Sequence, residues 1–192
     1  MDLLLPTMAA HLARWEARPF HDTVALGPAP GDKRDVYTRR IGHEPQGAPA
    51  ADGPYRRAAD AILGYRIFPD SVIAGVLRRA PVHVGDTVGI RYRGLGLVHL
   101  FFAARVVAVF DGPDAGGWRA GFTYRTLRGH PELGEETFAV TRRATGEVEV
   151  SLTAWSRPGT WLARLLPFVV RFLQVRGSRA ALTNLAAVAA NR

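Results

Sequence analysis

The sequence predicts an α+β domain in which a curved antiparallel sheet of six to seven strands wraps around a long C-terminal helix. Three observations carry that prediction. From Val72 to Ser156 the apolar residues recur with period two and are interrupted by tight-turn residues. From Thr160 to Ala190 the period is that of a helix. Between an N-terminal stretch and the strands, Tyr55 to Leu63 carries Ala58, Ala59, Ile62 and Leu63 at helical spacing. The 192 residues suit one domain, 1–192. Residues 1–54 supply an N-terminal helix, loops and a possible first strand, and 55–192 supply the core.

Taken in order, Leu3 to Ala17 reads as a short helix and Val36 to Ile41 as a strand inside Gly/Pro-rich sequence. Gly42 to Pro54 reads as a mobile loop. After the aromatic turn Tyr65-Arg66-Ile67-Phe68-Pro69 come six strands: Val72 to Arg78, Thr87 to Arg93, Leu97 to Phe110, Gly117 to Thr126, Glu135 to Arg143 and Glu147 to Ser156. Ala144-Thr145-Gly146 suits a three-residue hairpin that sets Val140 opposite Val150. One face then carries Phe138, Val140, Val148, Val150 and Leu152, and the other pairs opposite charges around Arg143, Glu147 and Glu149. Gly94-Leu95-Gly96 suits a similar turn, pairing Tyr92 with Val98 and Ile90 with Leu100. Phe102, Ala104, Val106, Trp118, Phe122 and Tyr124 extend the inner face. The back of the long strand, with Phe101, Ala103, Val107 and Val109, needs a cover, either the N-terminal helix or another subunit of a homodimer.

The last helix has an apolar stripe through Leu162, Leu165, Leu166, Val169, Leu173, Gly177, Ala181, Leu185 and Val188, with Arg164, Arg171 and Arg179 opposite. Pro167 should kink or restart it. Gly177 and Ala181 make the stripe shallow. A shallow stripe facing a concave sheet leaves space for a ligand, although close helix-to-sheet packing accounts for small residues equally well.

Composition excludes several classes. There is no cysteine, so disulfides, thiolate metal sites and a cysteine nucleophile are ruled out. The six histidines show no metal-ligand spacing and the glycines match neither a Walker loop nor a dinucleotide fingerprint, so no metal and no cofactor are expected. The N-terminus lacks the layout of a signal peptide, and Trp161 to Val175 is too short and too interrupted to span a bilayer, so a cytoplasmic location is expected. The formal net charge is +8, and no acidic residue follows Glu149 while six arginines do. Such a helix can meet an anionic membrane at its surface. Its basic face lacks interleaved aromatics, which argues against specific nucleic-acid reading.

One strand, a helical segment, six antiparallel strands and a long last helix is the element order of the helix-grip fold; a two-layer sandwich with a filled core is the alternative. The strings YRIFP (65–69), RVVAVFD (105–111), GFTYRTLRGHPELGEETFAV (121–140) and SRPGTWLARLLPFVVRFLQ (156–174) closely resemble the family called domain of unknown function 1990. That resemblance covers about Tyr55 to Leu185. Its most specific parts are Gly121-Phe122-x-Tyr124, Gly129-His130-Pro131-Glu132-x-Gly134-Glu135-Glu136 and Ser156-Arg157-Pro158. Ala103-Ala104 departs from a Pro-Cys pair found in many relatives, and the N-terminal region does not match. More distantly the chain is similar to the polyketide cyclase and lipid-transfer superfamily (START-like, Bet v 1-like). That likeness implies binding of a hydrophobic molecule and, in some members, catalysis.

The derived register sets Tyr124 opposite Glu136 and Glu136 opposite Ala154, pointing inward with Ser156 two residues on. A carboxylate on an apolar face must pair, accept hydrogen bonds or keep its proton. His130 with Glu132 or Glu136 could form a general acid/base pair, with Tyr124 orienting a substrate. The competing reading is that the glycines shape the turn while the carboxylates satisfy backbone groups or an arginine such as Arg157. Expected ligand contacts are Tyr92, Phe102, Trp118 and Phe122 from the sheet. Tyr124, Glu136 and Ser156 would add polar contacts, and Leu173 and Gly177 would face them from the helix.

The leading functional expectation is binding of a small hydrophobic molecule between sheet and C-terminal helix. A proton-transfer enzyme of cyclase, dehydratase or isomerase type in the same cavity is the first alternative. Peripheral attachment to anionic membrane through the basic helix is the second.

Overall fold

A computed structural model of the chain describes residues 7–21, 27–93 and 99–190. Among the described residues four helices and seven strands follow one another as α1 (Met8–Glu16), β1 (Lys33–His43), α2 (Pro54–Leu63), β2 (Ile73–Val76), β3 (Thr87–Arg93), β4 (His99–Asp114), β5 (Gly117–Thr126), β6 (Glu132–Arg142), β7 (Glu147–Pro158), α3 (Trp161–Leu165) and α4 (Pro167–Ala190). The strands form one antiparallel sheet in the order β1-β7-β6-β5-β4-β3-β2. The sheet curls around α2 and α4, which is the helix-grip fold, and the seventh strand is the one expected at Val36 to Ile41.

The β6–β7 hairpin forms as its turn residues dictate. Gly146 takes φ +90°, a conformation open to glycine, and Arg143 N donates to Glu147 O at 2.8 Å. Val140 lies opposite Val150, and Phe138, Val140, Val148, Val150 and Leu152 are buried. On the other face Arg143 meets Glu147 at 3.7 Å and Glu149 at 3.6 Å.

Two registers differ from expectation. Tyr92 pairs with Leu100 and Ile90 with Phe102, two residues along from the predicted pairs. The connection is therefore longer than Gly94-Leu95-Gly96, a turn that itself lies outside the described residues. A slip of two preserves which side chains face inward, so the face assignment survives. In β4 a bulge falls between Val106 and Ala108. The extra residue inverts the alternation beyond it, so Val109 joins the core instead of the back face.

The back of β4 is covered by α1. Trp15 packs with Ala103 and Leu127, flanked by Phe20 and Phe101. Thr7 caps the helix, accepting from Ala10 N at 3.3 Å. Of the expected helix from Leu3 to Ala17, residues 3–6 lie outside the described residues.

At the other end, α2 plugs the curl of the sheet with Tyr55, Ala58, Ala59, Ala61 and Ile62 buried. Its N-cap, Gly53, has no side chain to offer the first amides. Glu44 supplies the acceptor from a distance, taking Tyr55 N at 2.9 Å and Ala50 N at 3.3 Å. A Cβ at Gly53 would lie 2.1 Å from Glu44 Oε1, so any other residue there would push the Glu44 carboxylate off the amides it caps. Arg142 completes this cluster: its Nε is 3.2 Å from Glu44 Oε2 and both side chains are 2% exposed. It also donates to Pro45 O. The segment from Gly42 to Pro54, expected to be mobile, is thus anchored from within.

The C-terminal helix is two helices. Pro167 takes the first position of α4, where its missing N–H leaves no bond unmade, so it restarts the helix. Only the later part of the expected stripe is core: Gly177, Ala181 and Leu185 are buried, joined by Ser178, Leu182 and Ala189. Leu162, Leu165, Leu166 and Val169 are exposed, against the expectation that the whole stripe packs. Arg171, expected on the solvent side, reaches Asp35 at 2.6 Å and ties α4 to β1. Arg57 holds the other end of α4 by donating from Nε to Ala189 O at 2.9 Å.

Candidate functional site

Where α4 diverges from the sheet, a cavity of about 570 Å³ opens between them. That size lies within the usual range of about 300–1,000 Å³ for small-molecule sites. Its floor is the inner face of β3 to β7, its roof is α4 around Leu173 and Gly177, and its mouth is framed by α3. At the edge of the cavity Gly177 lets α4 approach the sheet closely. A Cβ there would come within 3.2 Å of Ile73 Cδ1 and 3.9 Å of the Tyr92 ring. Tyr92 bridges the space, its hydroxyl donating to Leu173 O at 3.1 Å.

One end of the cavity is polar. Tyr124 on β5 and Glu136 on β6 are direct cross-strand partners, and the Tyr124 hydroxyl donates to Glu136 Oε2. Burial pushes the Glu136 carboxyl up to about 7; the Tyr124 hydrogen bond pulls it down less strongly, and the charges of Glu132 and Asp35 add to the rise. Burial likewise raises Tyr124, with Glu136 adding to the effect. Glu132 sits beside them, accepting from Ser156 Oγ at 3.1 Å. Its carboxyl is raised, burial again being the largest cause.

His130 stacks near Phe102, ring centroids 5.4 Å apart. Its Nδ1 lies 2.7 Å from the Glu132 carbonyl oxygen and 3.1 Å from the Glu132 amide, so it donates to the first as the Nδ1–H tautomer or accepts from the second as the Nε2–H tautomer. Burial drives the imidazole down to about 4, so it is neutral over ordinary pH. Beneath it a void of about 10 Å³ is lined by Tyr65, Tyr124 and Ala104 among others. The buried Tyr65 hydroxyl makes no hydrogen bond among the described residues.

The loop that presents these groups is pinned at several points. Thr126 Oγ1 accepts from Gly134 N at 3.0 Å, and Gly159 N donates to Pro131 O at 2.8 Å. Gly129 adopts φ +95°. At Gly134 a Cβ would lie 1.9 Å from Trp155 O, so β6 and β7 can approach there only around glycine. The Gly129 to Glu136 motif and Ser156 thereby converge on one cavity wall.

Of the residues expected from sequence, Tyr92, Phe102, Tyr124, Glu136, Ser156, Leu173 and Gly177 line the cavity, as do His130 and Glu132. Trp118 and Phe122 do not. Phe122 is fully buried core against Phe138, and Trp118 packs on that same core. The expected histidine–carboxylate pair does not form either, because His130 bonds backbone and each carboxylate has a hydroxyl partner. Arg157, expected to satisfy these carboxylates, pairs with Asp32 at 2.9 Å. Sequence reasoning missed Phe68 and Trp155 and assigned Trp161, Leu162 and Leu166 no ligand contact, yet all five line the cavity. Phe68 and Trp161 follow the turn and the strand-to-helix corner, where no periodic pattern marks an inward direction. Among the described residues no cluster of three metal-ligating side chains occurs.

A curled sheet gripping a C-terminal helix over an open apolar cavity defines this as a helix-grip protein. The same architecture appears in the solution structure of KanY protein, with TM-score 0.54, 14% identity and coverage of 84% of this chain and 99% of that one. Protein Ms6760 from Mycobacterium smegmatis has TM-score 0.50 at 13% identity, covering 86% of this chain and 99% of that one. These likenesses show fold alone. Sequence shows the family: residues 20–184 match the domain of unknown function DUF1990, and the chain belongs to it. The match begins upstream of Tyr55, so it takes in β1, which the sequence resemblance had left unmatched. A UPF0548 protein of Deinococcus radiodurans is 30% identical over 190 residues, 93% of this chain and 94% of that protein. A UPF0548 protein of Dictyostelium discoideum is 30% identical over 128 residues, 62% of this chain but only 59% of that protein.

Proposed function

We propose that this protein binds a small, mainly hydrophobic molecule in the cavity between the sheet and α4, with the molecule's one polar group directed at Glu136 and Tyr124. The observation that carries the reading is the shape of α4's contact with the sheet. About 570 Å³ stays open between the sheet and the earlier residues of the helix, whereas its later residues are tightly packed. Apolar walls supply most of the binding free energy, roughly 25 cal/mol per Å² of apolar surface removed from water. The buried carboxyls set orientation and disfavour an anionic headgroup, which would face Glu132 and Glu136 together.

The test is uptake of the apolar fluorophore N-phenyl-1-naphthylamine by the wild-type chain and by Gly177→Leu. The leucine projects toward the cavity beside Ile73 and Tyr92, so the expected result is loss of probe binding by a chain that still unfolds cooperatively, at a midpoint lowered by the crowding against Ile73. Equal affinity in a folded Gly177→Leu protein would contradict the reading.

A second reading draws on Glu136. A carboxyl held near 7 beside a tyrosine hydroxyl is suited to exchange a proton with a bound molecule. On that reading the cavity supports a cyclase, dehydratase or isomerase type of reaction, and Glu136→Gln would abolish turnover while leaving probe uptake intact.

A further inference from the structure

The mouth of the cavity is bordered by an apolar surface that the fold does not cover. Trp161 and Leu165, one turn apart on α3, are 71% and 67% exposed. Phe168 and Phe172, one turn apart on α4, are 87% and 60% exposed. Four large apolar side chains exposed within twelve residues of the chain, on two helices that touch, mark a contact surface. Neither Phe168 nor Phe172 lines the cavity, so ligand binding does not account for them.

Charge identifies what the surface meets. Phe168, Phe172, Arg176 and Arg179 are spaced i, i+4, i+8 and i+11, which places them along one face of α4. Arg164, Arg176 and Arg179 are exposed, and none takes part in an ion pair among the described residues. No acidic residue follows Glu149 in the sequence to offset them. A second copy docked through this face would bring these arginines toward their own counterparts, which opposes association. An anionic lipid surface satisfies both features at once. Arginines attract the headgroups while tryptophan and phenylalanine enter the boundary with the acyl chains.

We infer that this protein docks peripherally on anionic bilayers through Trp161, Leu165, Phe168 and Phe172, flanked by Arg164, Arg176 and Arg179, with the cavity mouth held against the lipid. The attachment is peripheral, since no helix among the described residues is long and apolar enough to cross a membrane. The docking rests on the exposed side chains and stands whether or not the cavity holds a ligand.

The experiment is co-sedimentation of the full chain with vesicles of phosphatidylcholine alone or mixed with phosphatidylglycerol, comparing wild type, F168S/F172S and R164Q/R176Q/R179Q. Wild type should partition onto the mixed vesicles, more weakly as salt rises and little onto phosphatidylcholine alone. F168S/F172S should lower that partition by about tenfold or more, from the loss of two buried aromatic groups. The arginine variant should lose the preference for anionic lipid. Uptake of N-phenyl-1-naphthylamine and the unfolding midpoint should be unchanged in F168S/F172S, which separates failure of docking from failure of the cavity. Wild-type protein that stays in solution, or a double serine variant that partitions like wild type, would overturn the inference. So would a wild-type dimer that the same two serines convert to monomer, because the face would then belong to a second copy.

Discussion

The two ends of α4 pack in opposite ways. From Gly177 to Ala189 the helix lies on α2 and the sheet, with Ala181 and Leu185 inside a core that also holds Tyr55, Phe122 and Phe138. From Pro167 to Leu173 the same helix meets the sheet only at polar ties, Arg171 to Asp35 and the Leu173 carbonyl to Tyr92 among those described, while it roofs the cavity and exposes Phe168 and Phe172 to solvent. The closed end buries a charged pair, Arg142 and Glu44, with each charge compensated and the carboxylate capping α2. The open end buries carboxyls that have hydroxyl partners but no close cation on Glu136. Ionisable groups at the closed end hold structure in place, whereas at the open end the carboxyls of Glu132 and Glu136 are raised toward protonation, His130 is held neutral, and all three line the cavity.

The largest losses of stability are expected at the closed end. Arg142→Ala strands Glu44 as a buried carboxylate, and Glu44→Ala strands the guanidinium together with the first amides of α2. Each should cost about 3–5 kcal/mol in urea unfolding, the usual penalty for removing one partner of a buried pair. A loss under about 1 kcal/mol would mean that water reaches this cluster and that the closed end is not closed.

The open end should answer to pH instead. Glu136, raised from 4.5 to about 7, binds its proton more tightly in the folded chain. Its contribution is complete below about pH 4.5 and is lost as pH rises through 7. His130, lowered from 6.5 to about 4, acts in the other sense: the unfolded chain binds that proton more tightly, so stability rises as pH climbs from 4 to 6.5. The two slopes oppose over their shared range, so wild type should show a muted profile. Relative to wild type, Glu136→Gln should gain about 1–3 kcal/mol between pH 4.5 and 7, and His130→Phe should gain a similar amount as pH falls from 6.5 to 4. A difference that stays constant with pH in either variant would show that the residue titrates as it does in water.

Most of the closed end was legible in the sequence, because period-two alternation and the Ala144-Thr145-Gly146 turn dictate which side chains go inside. Arg142 was the exception. It continues the inward series of Phe138 and Val140, but a charge there reads as an error until Glu44, nearly a hundred residues earlier, is brought to it. The β4 bulge was invisible for a related reason: one extra residue leaves the composition unchanged and inverts the faces beyond it, as Val109 shows. At the open end, the Tyr124–Glu136 pairing and the shallow stripe at Gly177 were legible from register and spacing. Which half of the stripe was core was not, since Leu166 and Leu185 look alike on a helical wheel and only the sheet's curvature decides which one it reaches. The same limit explains Trp118 and Phe122, which share the inner face with Tyr124 but lie beyond the cavity's edge.

The account turns on the cavity at the open end having an occupant. Native mass spectrometry of freshly purified protein, followed by denaturing extraction and identification of what is released, tests that directly. The account predicts a stoichiometric adduct, apolar with one polar group, that Gly177→Leu does not carry. Bare protein in both samples, together with no uptake of the naphthylamine probe, would contradict it.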